Sequence, residues 1–200
     1  LNKEIGGLNP DAVESSALIG TKVVWMPTFS ADNHNDLNGN GSGLQLSHEG
    51  KLDQQVYDIL EIANKYDMVI ASGHISPAET LILFKAANDL GVSRLIATHP
   101  ASWATVDQLI EMSSLGAYIE HTFLSCTPSR NRTNPNEMVA LINKLGVTRS
   151  VVTSDFGQWM NPCPAEGMRM AIAELMNSGM SQEQITSLVK SNPKTLLDVL

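Results

Sequence analysis

The chain has 200 residues, 42% of them hydrophobic, with 21 acids against 13 bases and a formal net charge of -8; that is enough apolar chain to bury the core of a single domain spanning 1–200. No apolar run approaches the roughly 20 residues of a membrane helix, and no lysine- or arginine-rich stripe interleaved with aromatics follows a phosphate backbone, which argues against membrane and nucleic-acid partners. Cys126 and Cys163 form neither a disulfide framework nor a CxxC pair, and "LNKEIGGLNP" lacks the layout of a signal peptide, so a cytoplasmic protein with two free thiols is expected.

In chain order, Asn9 caps and Pro10 opens a helix that stops at Gly20. The strand "TKVVWMPT" (Thr21 to Thr28) follows, then a long loop, "FSADNHNDLNGNGSGLQLSHEGK", rich in Asn, Gly and Asp, which reads as a lid or a surface excursion. The helix "LDQQVYDILEIANKY" places Val56, Ile59, Leu60 and Ala63 on one face. The strand "DMVIASGH" (Asp67 to His74) leads into a helix that opens on Ser-Pro-x-Glu and ends at Gly91; "SRLIATHP" (Ser93 to Pro100) leads into "TVDQLIEMSSLG". The strand "GAYIEHTF" (Gly116 to Phe123) precedes "NPNEMVALINKLG", and "RSVVTSDFG" (Arg149 to Gly157) precedes the helices "CPAEGMRMAIAELMNSG" and "SQEQITSLVKSNPKTLLDVL". Strands alternating with helices in units of about 25 residues describe an α/β protein with a parallel sheet, either doubly wound or a β/α barrel. No GxGxxG or P-loop follows a strand, which disfavours an open sheet binding a nucleotide. Read as a barrel, which needs eight units, the chain is α/β of the (β/α)8 TIM-barrel type, as an incomplete barrel. The opening "LNKEIGGLNP" reads as the end of another strand and its loop, with about 80 to 100 further residues expected upstream.

Polar residues collect at the C-terminal ends of these strands. His74, His99 and His121 sit at or beside such ends, Asp155 holds the matching place on the last strand, and Glu120 precedes His121. Singly, each also reads as a cap or turn residue. Together, imidazoles and carboxylates from the rigid ends of several strands make a ligand set for zinc, manganese or iron. Glu120 and His121 are adjacent, so a strand turns them to opposite faces and only one of them can face the site. Substrate-contact candidates are His34 in the long loop, Arg130 and Arg132 in "SCTPSRNRTNP", whose guanidinium groups suit a carboxylate or phosphate, and Trp159 as a pocket wall. The alternatives for these four are plain loop residues. Cys126 reads as a structural thiol.

The order His74 ("ASGH"), His99 ("ATHP"), a skipped strand and Asp155 ("TSDFG") resembles the fifth, sixth and eighth strands of the amidohydrolase superfamily of metal-dependent hydrolases. "VVWMPT" and "YIEHTF" then correspond to the fourth and seventh strands, and "SNPKTLLDV" is similar to the family's closing Asn-Pro helix. The resemblance implies that His74 is a metal ligand and His99 a ligand or a group polarising the substrate. It implies that Asp155 is a ligand and the general base, and that Glu120 is a further ligand or an acid. It also implies a divalent ion, zinc before manganese or iron, that activates a water for hydrolysis. No His-x-His pair occurs in these residues, and the resemblance places it upstream. Met26, Pro27 and Thr28 stand where a bridging lysine or glutamate is usual, which argues against a bridged binuclear centre.

The function expected is hydrolysis of a small-molecule amide, ester, lactone or similar bond. A metal-dependent decarboxylase or phosphoesterase on the same barrel, or a noncatalytic barrel-derived binding protein, are the alternatives. Five strands of a barrel leave edges and apolar helix faces open, so a homo-oligomer or an upstream segment is the expected partner besides the substrate.

Overall fold

The computed structural model describes residues 1–198, which divide into two compact units, Leu1–Tyr118 and Ile119–Leu200. Among the described residues no helix is long and apolar enough to cross a membrane.

The first unit opens with a 3-10 turn over Lys3–Ile5, where the sequence suggested the end of a strand. Asn2 anchors it to the chain after the first strand: its side-chain Oδ1 accepts from Thr28 N (2.8 Å) and Ser30 N (3.1 Å), and its Nδ2 donates to Thr28 Oγ1 (2.8 Å). Helix α1 (Pro10–Leu18) follows, with the Asn9 side chain accepting from Ala12 N. Strand β1 (Val23–Trp25) pairs in parallel with β4 (Val69–Ala71), and β4 with β5 (Leu95–Ala97). These strands are shorter than the apolar runs that announced them, although bonds to the neighbouring strand continue past their ends, as from Met26 N to Ala71 O (2.9 Å). Helix α3 (Gln54–Lys65) buries the face formed by Val56, Ile59, Leu60 and Ala63. Helix α4 (Pro77–Asp89) starts at a capping box between Ser76 and Glu79 and buries Leu83, Phe84 and Ala87. Helix α5 (Val106–Ser114) starts at a second box, Thr105 with Gln108. Each box satisfies amide donors that the first helical turn leaves open.

The segment between β1 and α3 is not an open loop. It holds the short helix α2 (Asp32–Asn38) and a hairpin of β2 (Ser47–His48) with β3 (Lys51–Leu52). Its polar composition hides α2 from an apolar-periodicity reading. Tertiary bonds hold it instead. The Asp32 carboxylate accepts from Gly43 N (2.7 Å) and Gln45 Nε2 (2.9 Å), and these two donors keep it below the usual carboxylate range. Leu46 is buried, and its N–H donates to Glu79 Oε1 (2.7 Å), so the box that starts α4 also fastens this segment.

In the second unit, β6 (Tyr118–Thr122) pairs in parallel with β7 (Ser150–Thr153). Helices α6 (Pro135–Leu145) and α7 (Pro164–Asn177) pack Met138, Val139, Ile142, Ala171 and Leu175 against Phe123, Leu124, Val152 and Phe156. The closing segment, read from sequence as one helix to Leu200, is α8 (Gln182–Thr186), a π-helical turn over Ser187–Ser191, and α9 (Asn192–Leu197). The wide turn precedes Pro193, which has no N–H to continue the ladder and whose ring crowds the preceding turn. Val199 and Leu200, the end of that predicted helix, lie outside the described residues.

Candidate functional site: histidines gathered at the strand ends

His74 follows β4 by three residues, and the chain beyond the strand remains cross-linked. Ser72 N donates to Ile96 O (3.0 Å) and His74 N to Pro27 O (2.9 Å). Gly73 N donates to Thr98 Oγ1 (3.1 Å), and Thr98 N to Ser72 Oγ (2.9 Å). Gly73 is required here: its φ is +62°, and a Cβ would lie 2.3 Å from Met26 O and 2.6 Å from Pro27 O. Met26 and Pro27, which stand where the resemblance led one to look for a bridging ligand, thus serve as the backbone shelf under His74. His99 follows β5 with φ +29°, a left-handed conformation for a residue with a Cβ, directly before the buried Pro100. Local strain of this kind is held by surrounding structure and concentrates at functional sites.

His34 lies on α2, and its neighbour Asn33 donates from Nδ2 to His74 O (3.0 Å). Three of the sequence candidates therefore meet in the first unit. His34 Nδ1 is 3.0 Å from His74 Nδ1, and His74 Nε2 is 3.2 Å from His99 Nε2. Two aromatic side chains that the sequence reading passed over complete the cluster. Phe29 stands edge-on to His34 (5.3 Å between centroids) and His74 (5.8 Å), and Trp103 edge-on to His74 (5.4 Å) and His99 (5.1 Å). Their signal was proximity: Phe29 directly follows the first predicted strand, and Trp103 comes four residues after His99.

The other candidates belong to the second unit. Glu120 Oε1 accepts from Thr153 Oγ1 (2.9 Å) on the neighbouring strand. His121 is on the opposite face of β6, shared with Phe123, and is fully buried; its Nε2 faces Ser150 Oγ at 3.4 Å. Glu120 thus lies on the face turned away from the helices, and His121 on the helix side. Asp155 stands two residues past β7, exposed, with φ +54°. Its neighbours are fixed: Ser154 is buried, and Phe156 packs so tightly on α7 that a Cβ on Gly167 would come within 2.5 Å of its ring. Arg130 and Arg132 are exposed, and Trp159 is 92% exposed. Cys126 has its thiol pushed up to about 11, first by burial and then by Glu137 and Glu174, which leaves it protonated and a poor nucleophile.

Among the described residues no group of three or more His, Cys, Asp or Glu side chains is arranged to hold a metal ion. The His74–His99 pair does fit two ligand positions. Imidazoles bound to one zinc ion at about 2.0–2.1 Å bring their nitrogens roughly 3 Å apart, which is the observed Nε2 separation of 3.2 Å. A separate cavity of about 470 Å³ in the first unit is lined by Gly6, Asp32, Gly43, His48 and Asp53 among others.

The chain belongs to a family described as a family of unknown function (DUF6282), whose model matches residues 1–120 and so takes in His34, His74, His99 and Glu120. No curated protein matches the sequence. Among solved structures, the chain is similar to an amidohydrolase from Pseudomonas aeruginosa at 13% identity, covering 94% of this chain and 67% of that one, with a TM-score of 0.67. It is similar to a double mutant of organophosphorus hydrolase from Deinococcus radiodurans at 10% identity, covering 94% and 61%, with a TM-score of 0.62. It is also similar to the phosphotriesterase homology protein from Escherichia coli, solved with phosphate in its active site, at 18% identity, covering 74% and 56%, with a TM-score of 0.56. The fold is that of the amidohydrolase-type metal-dependent hydrolases, α/β of the barrel class, as the strand-end pattern implied. The chain spans 56% to 67% of the length of these three structures.

Proposed function

We propose that the chain carries part of the active site of a metal-dependent hydrolase acting on a small-molecule ester, lactone, amide or phosphoester. The observation that carries this reading is the pair of imidazoles from successive parallel strands, His74 and His99, whose Nε2 atoms stand at the separation of two ligands. Bound there, a divalent cation, with zinc the first candidate, would supply a Lewis acid and an activated water. His74 and His99 would hold it through Nε2, with the Gly73 and Thr98 backbone bonds keeping both rings on rigid strand ends. Phe29, itself largely exposed, and Trp103 flank the imidazoles with apolar surface that suits an uncharged substrate group. The resemblance would give Asp155 the role of general base. The resemblance would make Glu120, tied to Thr153, a further acid or ligand.

The test is metal content after reconstitution with zinc, followed by turnover of lactones, carboxyl esters, amides and phosphotriesters, for the wild type and for His74→Ala, His99→Ala and Asp155→Asn. Loss of zinc from either histidine variant is expected. Asp155→Asn should lower kcat/KM by roughly a hundredfold to ten-thousandfold, the scale of a general base. A wild-type protein that retains no zinc and turns over none of these substrates overturns the reading and leaves a noncatalytic binding protein on the same fold.

A further inference from the structure

The first turn of α2 separates two places in the first unit. Asp32 and His34 are two residues apart on this helix, which turns their side chains about 200° away from each other. His34 meets His74, whereas Asp32 lines the cavity of about 470 Å³. That volume lies in the range of small-molecule sites, roughly 300–1,000 Å³.

The lining sets the chemistry of what fits there. The Asp32 carboxylate is fixed in place by Gly43 N and Gln45 Nε2. Asp53 stands at the start of α3, where an aspartate ordinarily turns its side chain back onto the first helical amides. It makes no such bond, and its carboxylate lies 3.6 Å from His48 Nε2, a second lining residue. Among the described residues no lysine or arginine lines the cavity, so the two carboxylates leave it negative and ill suited to an anion. A bare metal ion is also a poor fit, since Asp32, His48 and Asp53 are not among any three such side chains arranged to hold one. Ser42 and Gln55 add groups that both donate and accept, as hydroxyls require, and Leu8 and Leu44 add apolar contact for a carbon skeleton.

We infer that this cavity is a binding site for a small hydroxylated amine, whose ammonium group is taken by the Asp53 carboxylate beside Asp32 and whose hydroxyls meet Ser42 and Gln55. The site is separate from the histidine cluster, and it stands whether or not the hydrolase reading does. Its ligand would rest against the Asp32 clasp that holds α2.

The experiment is a titration of the full chain, read from its backbone amide proton–nitrogen spectrum, with three sugars of one ring size that differ in charge: glucosamine, glucose and glucuronate. Glucosamine is expected to shift the amide signals of Gly43, His48 and Gln55 with a Kd of about 1 mM, the scale for a ligand of about a dozen heavy atoms. Glucose should bind at least roughly tenfold more weakly, the worth of a hydrogen bond to a charged group, and glucuronate should leave these signals in place. Asp53→Asn and Asp53→Ser both keep a residue able to cap α3 and should each weaken glucosamine binding by roughly tenfold, with the thermal midpoint reporting that the fold is intact. His74→Ala should leave the affinity for glucosamine as it is. No shift from glucosamine at about 20 mM, twentyfold above the expected Kd, overturns the inference. So does an equal response to the three sugars, an affinity unaltered in both folded Asp53 variants, or binding lost in His74→Ala.

Discussion

Glu120 and His121 are neighbours on β6 with opposite surroundings. Glu120 meets a threonine hydroxyl, whereas burial pulls His121 from 6.5 down to about 4. Ser150 Oγ donates to Gly146 O (2.9 Å), so its free lone pair faces His121 Nε2 and matches a neutral ring with the proton there. The sign of the pH effect follows. The unfolded chain takes up a proton near 6.5 while the folded chain stays neutral until about pH 4, so folding stability is unaffected above pH 6.5 and falls as pH drops through that window. The loss should approach about 3 kcal/mol by the acid end and then level off. Urea midpoints against pH measure it, and His121→Leu should flatten the slope; an equally steep slope in that variant assigns the effect elsewhere.

At the scale of elements, the closing helices pack Ile185 and Leu188 into the core of the second unit and add one polar tie. The buried Asn192 donates from Nδ2 to Val147 O (2.7 Å) and to Ser150 O (2.6 Å), one hydrogen to each, at the entry to β7. The Asn-Pro pair noticed in the sequence thus has a physical role: asparagine holds the strand, and proline accompanies the change in helical pitch. Asn192→Ala should cost about 1–3 kcal/mol, since it leaves two carbonyls short of a donor, and equilibrium unfolding would register it. Elements with a strong local signature were legible beforehand. The Val56–Ala63 face of α3 is buried throughout, and the Ser-Pro-x-Glu start of α4 is a closed capping box. α2 was not legible, because Asp-Asn-His-Asn-Asp has no apolar period and its support comes from residues more than ten positions away. The same reason explains the site. His74 and His99 could be found as ends of strands, but the pairing of His34 with His74 depends on that hidden helix, and Phe29 and Trp103 depend on the turns after β1 and β5.

At the scale of the whole molecule, the alternation of strand and helix narrowed the fold to a doubly wound sheet or a β/α barrel, because parallel strands joined by helices leave few architectures open, and the order of polar residues at the strand ends pointed to the barrel. Relative strand-end geometry was out of reach, since short motifs give order without distance. The surplus of acids is a property of the whole chain as well. With a pI near 5.0, solubility should pass through a minimum at about pH 5, inside the range where His121 lowers stability. Light scattering from pH 4 to 8 would check this. Aggregation should therefore set in earlier than charge alone dictates, and His121→Leu should delay it without moving the minimum.

The turn after α2 makes a division that matters to anyone altering this protein. Gly39 and Gly41 face open space, with no atom within 4 Å of where a Cβ would stand, whereas at Gly43 a Cβ would fall 2.4 Å from Asp32 N. Room for added bulk thus changes abruptly over a few positions, although the left-handed φ of Gly39 (+69°) and Gly41 (+80°) strains any replacement of these glycines themselves. A peptide tag, fluorophore or capture handle spliced in after Asn40, whose N–H caps α2 on Asn35 O (2.9 Å), would ride on the surface, a short chain distance from His34, while the same insertion beyond Ser42 would break the clasp on Asp32. The molecule already contains an attachment point for a reporter of its own histidine cluster.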